Sequence, residues 1–115
     1  MTAYERGRRF EYRTKHDLDE RGYYTVRAAG SHSKIDIAAF KGEVCLMIQC
    51  KTDGKLPKSE CATLVGISTN PRFLPILASK TKAGKIQYHL LPGKESFDPG
   101  QSESSDKIER HREQR

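Results

Sequence analysis

The chain has 115 residues, of which 35% are hydrophobic and 31% charged, and its formal net charge at pH 7 is +6. This length predicts one domain, and the low apolar fraction predicts a thin core. Such a chain is either a small monomer or a domain that buries further apolar surface by dimerising. No apolar run reaches the roughly 18 residues that a transmembrane helix needs. The first residues, Met1–Arg6, lack the hydrophobic segment of a signal peptide, so we expect a cytoplasmic protein.

The positive charge lies on the body of the chain. The last fifteen residues, Gln101–Arg115, contain four acidic and four basic side chains, which cancel. A basic body favours a polyanionic partner, with nucleic acid first and an anionic membrane surface second. Solubility alone is the simplest alternative.

The three cysteines, Cys45, Cys50 and Cys61, occur in no CxxC pair. An odd number of cysteines without a secretion signal argues against a disulfide framework, and the spacing argues against a zinc site. We interpret all three as small, mostly buried side chains in a reducing compartment.

The pattern of apolar residues predicts two helices. Phe10, Thr14 and Leu18 recur at four-residue spacing within a proline-free segment that ends before Gly22, which predicts a helix over Glu5–Arg21 with a narrow buried stripe. A second, shorter helix is predicted over Lys58–Ile67.

Five segments rich in β-branched and aromatic residues predict strands. They are Tyr23–Ala28, Ile35–Phe40, Val44–Lys51, Phe73–Ser79 and Ile86–Leu91. The order α-β-β-β-α-β-β indicates an α/β fold with one mixed five-stranded sheet flanked by helices. Few residues after Pro92 are apolar, so we expect a domain over residues 1–94 and a charged, flexible tail over residues 95–115.

The second and third strands are close enough to form a hairpin. A two-residue loop at Lys41-Gly42 pairs Phe40 with Glu43 and Asp36 with Met47. Because side chains alternate along a strand, Asp36 then shares a face with Gln49 and Lys51. A slip of one residue would move Asp36 to the opposite face, so the prediction depends on the parity of the loop.

A carboxylate, an amide and an ammonium group at one strand end suit phosphodiester hydrolysis. Asp36 and Gln49 offer oxygen ligands to a divalent cation such as Mg²⁺ or Mn²⁺, and Glu11 on the first helix could complete the metal site. Lys51 could orient or deprotonate the attacking water, or offset developing negative charge. Each residue taken alone also suits an ordinary solvated position, and only the joint pattern favours catalysis.

The segment from Arg6 to Lys51 resembles the archaeal-type Holliday junction resolvases, which also occur in viruses and phages and belong to the PD-(D/E)xK nuclease superfamily. The shared pattern consists of a helix with Gly7 and a glutamate four residues later, a Gly-Tyr pair, an arginine and a Gly-Ser loop, an aspartate, and a final Gln-x-Lys. The resemblance implies a restriction-endonuclease-like core and a Mg²⁺-dependent homodimer that nicks four-way DNA junctions in pairs. A phage-encoded member would act in the host cytoplasm.

Carried over by position, the resemblance implies a catalytic set of Glu11, Asp36, Gln49 and Lys51, of which the first three would hold the metal. It also implies that Arg27 and Ser31 contact or position DNA. Other basic or polar residues near the predicted site extend the expected DNA surface: Arg6, Arg8, Arg9, Arg13, His32, Lys34 and Lys55.

Two positions depart from the family pattern. Gln49 stands where a glutamate is usual, which removes one negative charge and predicts weaker metal binding. Tyr12 stands where a basic residue is expected, and Arg13 is a possible substitute. Two alternatives therefore stay open: another PD-(D/E)xK nuclease that acts on linear duplex or flap DNA, and a junction-binding protein with a degenerate site.

Overall fold

The computed structural model describes residues 1–29 and 33–100. Within them, two helices flank a six-stranded mixed sheet, which confirms the predicted fold class with one strand more than expected. The helices are α1 (Ala3–Glu20) and α2 (Lys58–Ile67), and the strands are β1 (Tyr24–Arg27), β2 (Ile37–Lys41), β3 (Val44–Cys50), β4 (Phe73–Lys80), β5 (Ile86–Leu90) and β6 (Glu95–Phe97). The strands lie side by side in chain order, and only the β3–β4 pair is parallel.

Helix α1 begins two residues earlier than predicted because its start is capped. The backbone N–H of Glu5 donates to Thr2 Oγ1 over 3.1 Å, and Thr2 N–H donates to Glu5 Oε1 over 3.4 Å. This reciprocal pair satisfies amide groups that the first helical turn leaves unpaired. The buried residues of α1 are Phe10, Thr14 and Leu18, which confirms the predicted stripe.

The sheet has a separate apolar core on each face. Leu46 and Ile48 of β3 pack in the core that includes Phe10 and Leu18 of α1. Cys45 and Met47 of the same strand pack in the core that includes Leu64 of α2. The predicted alternation along β3 is therefore confirmed, and Gln49 belongs by parity to the face covered by α2.

The predicted register of the β2–β3 hairpin is wrong by two residues, although its parity is right. Lys41 pairs with Val44, so the two-residue loop is Gly42-Glu43 rather than Lys41-Gly42. Gly42 has a φ of +60°, as the first position of a type II′ hairpin turn requires, and this favours glycine there. The regular register ends at Ile37, because Asp36 N–H also donates to the carbonyl of Ile48, the partner of Ile37, over 2.8 Å. Asp36 therefore lies at the carboxyl end of β3, where it contacts Ile48 and Cys50, and not opposite Met47.

The chain after Pro92 contains more structure than its composition predicts. Glu95–Phe97 forms β6 against β5, and the hydroxyl of Tyr23 donates to the carbonyl of Pro99 over 2.7 Å. Residues 95–97, assigned to the tail from sequence, thus belong to the sheet. Residues 101–115 of the expected tail lie outside the described residues.

All three cysteines are free of disulfide bonds. Neither α1 nor α2 is long and apolar enough to cross a membrane, and no other helix lies in the described ranges.

Candidate active site

A cleft of about 260 Å³ opens at the carboxyl end of β3. Its walls come from α1, from the end of β1 and the residues after it, from the segment before β2, from the end of β3 and from the first turn of α2. The side chains predicted as catalytic, Glu11, Asp36, Gln49 and Lys51, all line this cleft. The structure thus brings together four residues separated by up to forty positions in the chain.

Asp36 is held at the cleft by backbone hydrogen bonds on two sides. Its carbonyl accepts from Ala28 N–H over 2.9 Å, and its carboxylate oxygen Oδ2 accepts from Cys50 N–H over 2.8 Å. Burial raises the pKa of Asp36, and the bond from Cys50 and the nearby charge of Lys51 oppose that rise. The carboxylate is therefore fixed in direction at the point where β2 and β3 meet.

Glu11 reaches the same cleft from α1 and is paired with Arg27. Arg27 Nε lies 3.1 Å from Glu11 Oε1, and both side chains are largely shielded, with 16% and 20% exposure. Burial, followed by the negative charge of Asp36, raises the pKa of Glu11, while Arg27 lowers it. Arg27 also stacks over the ring of Tyr12, with its guanidinium carbon 4.4 Å from the ring centroid.

Gln49 is the most buried of the four predicted catalytic side chains, with 6% exposure. Its amide Nε2 donates to the carbonyl of Lys34 over 2.8 Å. This bond uses the nitrogen end of the amide and leaves the oxygen end as the acceptor that a cation could use. The hydrogen bond also ties the segment before Asp36 to β3.

Lys51 is paired across the cleft with a residue that the sequence analysis did not predict. Its Nζ lies 3.3 Å from Glu60 Oε1 in the first turn of α2. Glu60 itself lines the cleft. Its negative charge is among the causes that raise the pKa of Asp36, after burial as the largest. The sequence gives no local signal for this contact, because Glu60 lies beyond the loop that follows β3.

The oxygen atoms at the cleft suit a hard divalent cation. Two carboxylates and one amide oxygen are ligand types that Mg²⁺ and Mn²⁺ accept. The repulsion between Asp36 and Glu11, which contributes to raising the pKa of Glu11, would be relieved by a cation between them. In the part of the chain that the structure describes, no group of three or more His, Cys, Asp or Glu side chains could hold a metal ion. The donor set therefore fits a cation but contains few negative ligands.

The expected DNA-contacting residues divide into those at the cleft and those away from it. Arg8 and Arg27 line the cleft, whereas Arg9 lines a separate depression with Tyr12. Arg6 donates to the carbonyl of Met1 over 2.9 Å, and Arg13 to that of Gly84 in the β4–β5 turn. Arg13 therefore does not take a place at the cleft.

The remaining predicted contacts lie on loops. Lys34 and Lys55 have exposed side chains, the first just before Asp36 and the second in the loop after β3. Ser31 and His32 fall outside the described residues.

Sequence reasoning also missed one contribution of α1 to the cleft, that of Tyr4, whereas Gly7 was already part of the family pattern. Tyr4 and Gly7 line it together with Arg8 and Glu11. The spacing was visible in the sequence, because residues three and four apart share one helical face. The first turn of α1 was overlooked because the helix was predicted to begin at Glu5, after Tyr4.

Comparison with known proteins agrees with the fold. The family model described as archaeal Holliday junction resolvase (Hjc) matches residues 2–92. The crossover junction endodeoxyribonuclease Hjc of Methanocaldococcus jannaschii is 36% identical over 81 residues, which cover 67% of this chain and 60% of that relative. The chain therefore matches only about three fifths of that relative's length.

A solved structure supports the same relationship. The Holliday junction resolvase Hjc of the archaeal hyperthermophile Archaeoglobus fulgidus superposes with a TM-score of 0.61 and 26% identity, over 72% of this chain and 70% of that one. The family model accounts for most of the chain, including every residue of the cleft. The chain belongs to the archaeal Holliday junction resolvase family.

Proposed function

We propose that the chain is a metal-dependent endonuclease that resolves four-way DNA junctions by paired nicks. The observation that carries the proposal is the meeting of Glu11, Asp36, Gln49 and Lys51 in one cleft of a chain from this family. Both named relatives are resolvases or crossover junction nucleases. The substrate is a polyanion, which suits the net charge of +6.

Each of the four residues has a distinct proposed role. Asp36 and Glu11 supply charged oxygen ligands, and Gln49 supplies a neutral one. Lys51, whose ammonium faces the cleft beside Glu60, donates to a phosphoryl oxygen and offsets charge that develops there. Arg27 holds Glu11 in place and presents a positive charge to the DNA backbone.

The proposed cofactor is Mg²⁺, with Mn²⁺ able to replace it. A bound divalent cation stabilises charge on the phosphoryl oxygens and makes water a better nucleophile. The protein side chains alone provide no group that lowers the pKa of water comparably, so we expect no cleavage in the presence of a chelator.

We further propose a homodimer acting inside the cell. A four-way junction needs two nicks, and the chain holds one such cleft within the described ranges, so two copies supply the two sites. Sedimentation equilibrium should give about twice the monomer mass of 13.0 kDa. A monomer mass at micromolar concentrations, both with and without junction DNA, would contradict this.

The central experiment compares cleavage by the wild-type protein and by Asp36→Asn with Mg²⁺. Substrates are a four-way junction, a flap, a nicked duplex and a linear duplex. We expect the wild type to prefer the four-way junction. We expect Asp36→Asn to cleave at least about a hundredfold more slowly, because it loses a charged ligand that stabilises the transition state.

The matched control is Asp98→Asn, which makes the same chemical change at a side chain that is 84% exposed and does not line the cleft. It should cleave like the wild type. Preference for linear duplex would identify another nuclease of the superfamily, and wild-type rates for Asp36→Asn would exclude this cleft as the active site.

A second candidate function is junction binding without cleavage. The observation that favours it is Gln49, an uncharged side chain where the family pattern has glutamate. If the wild type binds junctions but does not cut, and Gln49→Glu creates activity, this second function is correct. Cleavage by the wild type at a rate similar to that of Gln49→Glu excludes it.

A further inference from the structure

The cleft contains a third carboxylate, contributed by α2. Glu60 lies in the first turn of α2, lines the cleft, and places Oε1 3.3 Å from Lys51 Nζ. Its side chain is 40% exposed, so it borders both the cleft and solvent. Glu60 is thus within direct reach of one of the four proposed catalytic residues.

With Glu60 included, the charges at the cleft balance. Within residues 1–29 and 33–100, Arg8, Arg27 and Lys51 are the basic side chains that line it, and Glu11, Asp36 and Glu60 are the acidic ones. Because Gln49 is neutral, β3 contributes no negative charge. Removing the charge of Glu60 would leave the cleft with a net positive charge, which opposes the binding of a cation.

Glu60 also restrains the ammonium group nearest to the proposed metal ligands. Lys51 and Glu60 approach the cleft from β3 and from α2, and their ion pair fixes where the positive charge lies. Without this partner, the acidic neighbours of Lys51 in the cleft, among the described residues, are Asp36 and Glu11. It would then compete with a cation for those carboxylates.

Glu60 is not arranged to be a direct ligand together with Asp36 and Glu11. Within residues 1–29 and 33–100, no three acidic, histidine or cysteine side chains form a group that could hold one ion. Its influence on a cation therefore passes through Lys51 and through its charge. In other metal sites, residues that act on the ligands without binding the metal change metal affinity by about 10- to 100-fold.

We propose that Glu60 is a positioning residue for Lys51 that also supplies the negative charge missing at Gln49. This inference rests on the proposed function, because it assumes that the cleft binds a divalent cation. It assigns to α2 a contribution that the family pattern expects from β3. The chain would thereby retain cation affinity despite its neutral strand residue.

The test measures Mn²⁺ binding in the absence of DNA, by isothermal titration calorimetry of the full chain. The variants are Glu60→Gln, Gln49→Glu and the two combined. We expect Glu60→Gln to bind Mn²⁺ about tenfold more weakly than the wild type. The double variant should return close to wild-type affinity, because Gln49→Glu restores the lost charge.

The matched control is Glu43→Gln. Glu43 is also ion-paired, with its Oε2 2.9 Å from Arg72 Nη1, but it does not line the cleft. Its replacement should leave Mn²⁺ affinity unchanged. An acid in the first turn also stabilises a helix, so stability alone cannot identify this role. Rescue by Gln49→Glu can identify this role, since a substitution on β3 would not restore the stability of α2.

The inference is overturned if Glu60→Gln binds Mn²⁺ like the wild type, or if Gln49→Glu does not restore affinity. Junction cleavage on the same preparations separates this result from the proposed function. Binding that follows the expected pattern without junction cleavage supports the role of Glu60 and rejects the nuclease. A wild type that binds no Mn²⁺ rejects both.

Discussion

At the residue scale, Arg27 connects two elements of the proposed catalytic site. It joins Glu11 through an ion pair of 3.1 Å and stacks on Tyr12 at 4.4 Å. Both contacts use properties specific to a guanidinium group, namely its planar face and its directed N–H groups. Tyr12 stands where the family pattern has a basic residue, and its ring supports the guanidinium of Arg27 from β1. Tyr12 therefore contributes its ring to the site and not a positive charge.

We therefore predict that Arg27→Lys slows junction cleavage although it keeps the charge. Lysine cannot stack on Tyr12 and hold Glu11 in the same geometry, so the carboxylate should lose its fixed position. The single-turnover cleavage rate should fall about tenfold, as for other partners that orient a metal ligand. Arg13→Lys, on the same helix as Glu11 but bonded to Gly84, is the control and should cleave normally. Equal rates for both variants would show that the orientation of Glu11 does not depend on Arg27.

The residues of the site differ in how well they could be predicted from the sequence. Asp36, Gln49 and Lys51 were predictable because strand alternation and loop parity are local properties of the sequence. Glu11 was a weaker candidate, since a helix-surface glutamate has no local signal, and the family resemblance strengthened it. Glu60 was not predictable, because its approach to Lys51 follows from how α2 packs on the sheet. A contact of this kind is set by tertiary packing rather than by any repeating pattern.

At the element scale, the β2–β3 hairpin determines where Asp36 lies. A turn with glycine at its first loop position selects the loop Gly42-Glu43, and the register then brings Asp36 to the carboxyl end of β3, where it contacts Ile48 and Cys50. The loop predicted from the sequence, Lys41-Gly42, begins one residue earlier, which shifts the pairing by two residues but keeps each β2 side chain on its predicted face. The functional prediction was therefore insensitive to an error that changed every strand partner.

We predict that Gly42→Ala lowers the free energy of unfolding by about 1–2 kcal/mol. The φ of +60° is unfavourable for any residue with a Cβ, and no atom lies within 4 Å of that Cβ, so the cost is confined to the backbone. Urea denaturation measures the change. Gly66→Ala in α2 is a control of opposite sign, because its Cβ also meets nothing and alanine favours a helix. Destabilisation of similar size by both variants would contradict the backbone explanation.

The elements themselves were predictable in proportion to their length and pattern. Helix α2 was predicted with its observed bounds, Lys58–Ile67. Helix α1 was predicted too short because the Thr2 and Glu5 capping box, visible three residues apart, was not used. Strand β6 was missed because three residues with one apolar side chain, Phe97, do not form a recognisable alternation. Its pairing with β5 supplies the stability that its sequence does not indicate.

At the scale of the whole molecule, the proposed chemistry lies at one end of the sheet. The cleft adjoins Cys50 at the end of β3, whereas Arg72 lies at the beginning of that strand, where its carbonyl accepts from Cys45 N–H. β3 has seven residues, so its two ends lie roughly 20 Å apart. This separation exceeds the screening length of about 8 Å at physiological ionic strength. A basic side chain at the far end should therefore contribute little to DNA held at the cleft.

This geometry predicts different salt dependences for two arginine variants. Arg8 lines the cleft and is exposed, so a contact with a DNA phosphate should release a counterion there. For Arg8→Ala, the slope of the logarithm of the junction association constant against that of the salt concentration should become shallower by about one. For Arg72→Ala, at the far end of β3 and 59% exposed, the slope should equal that of the wild type. Fluorescence anisotropy with Ca²⁺ in place of Mg²⁺ gives both slopes. If Arg72→Ala changes the slope as much as Arg8→Ala does, the junction covers the whole basic surface, and the cleft does not define the binding site.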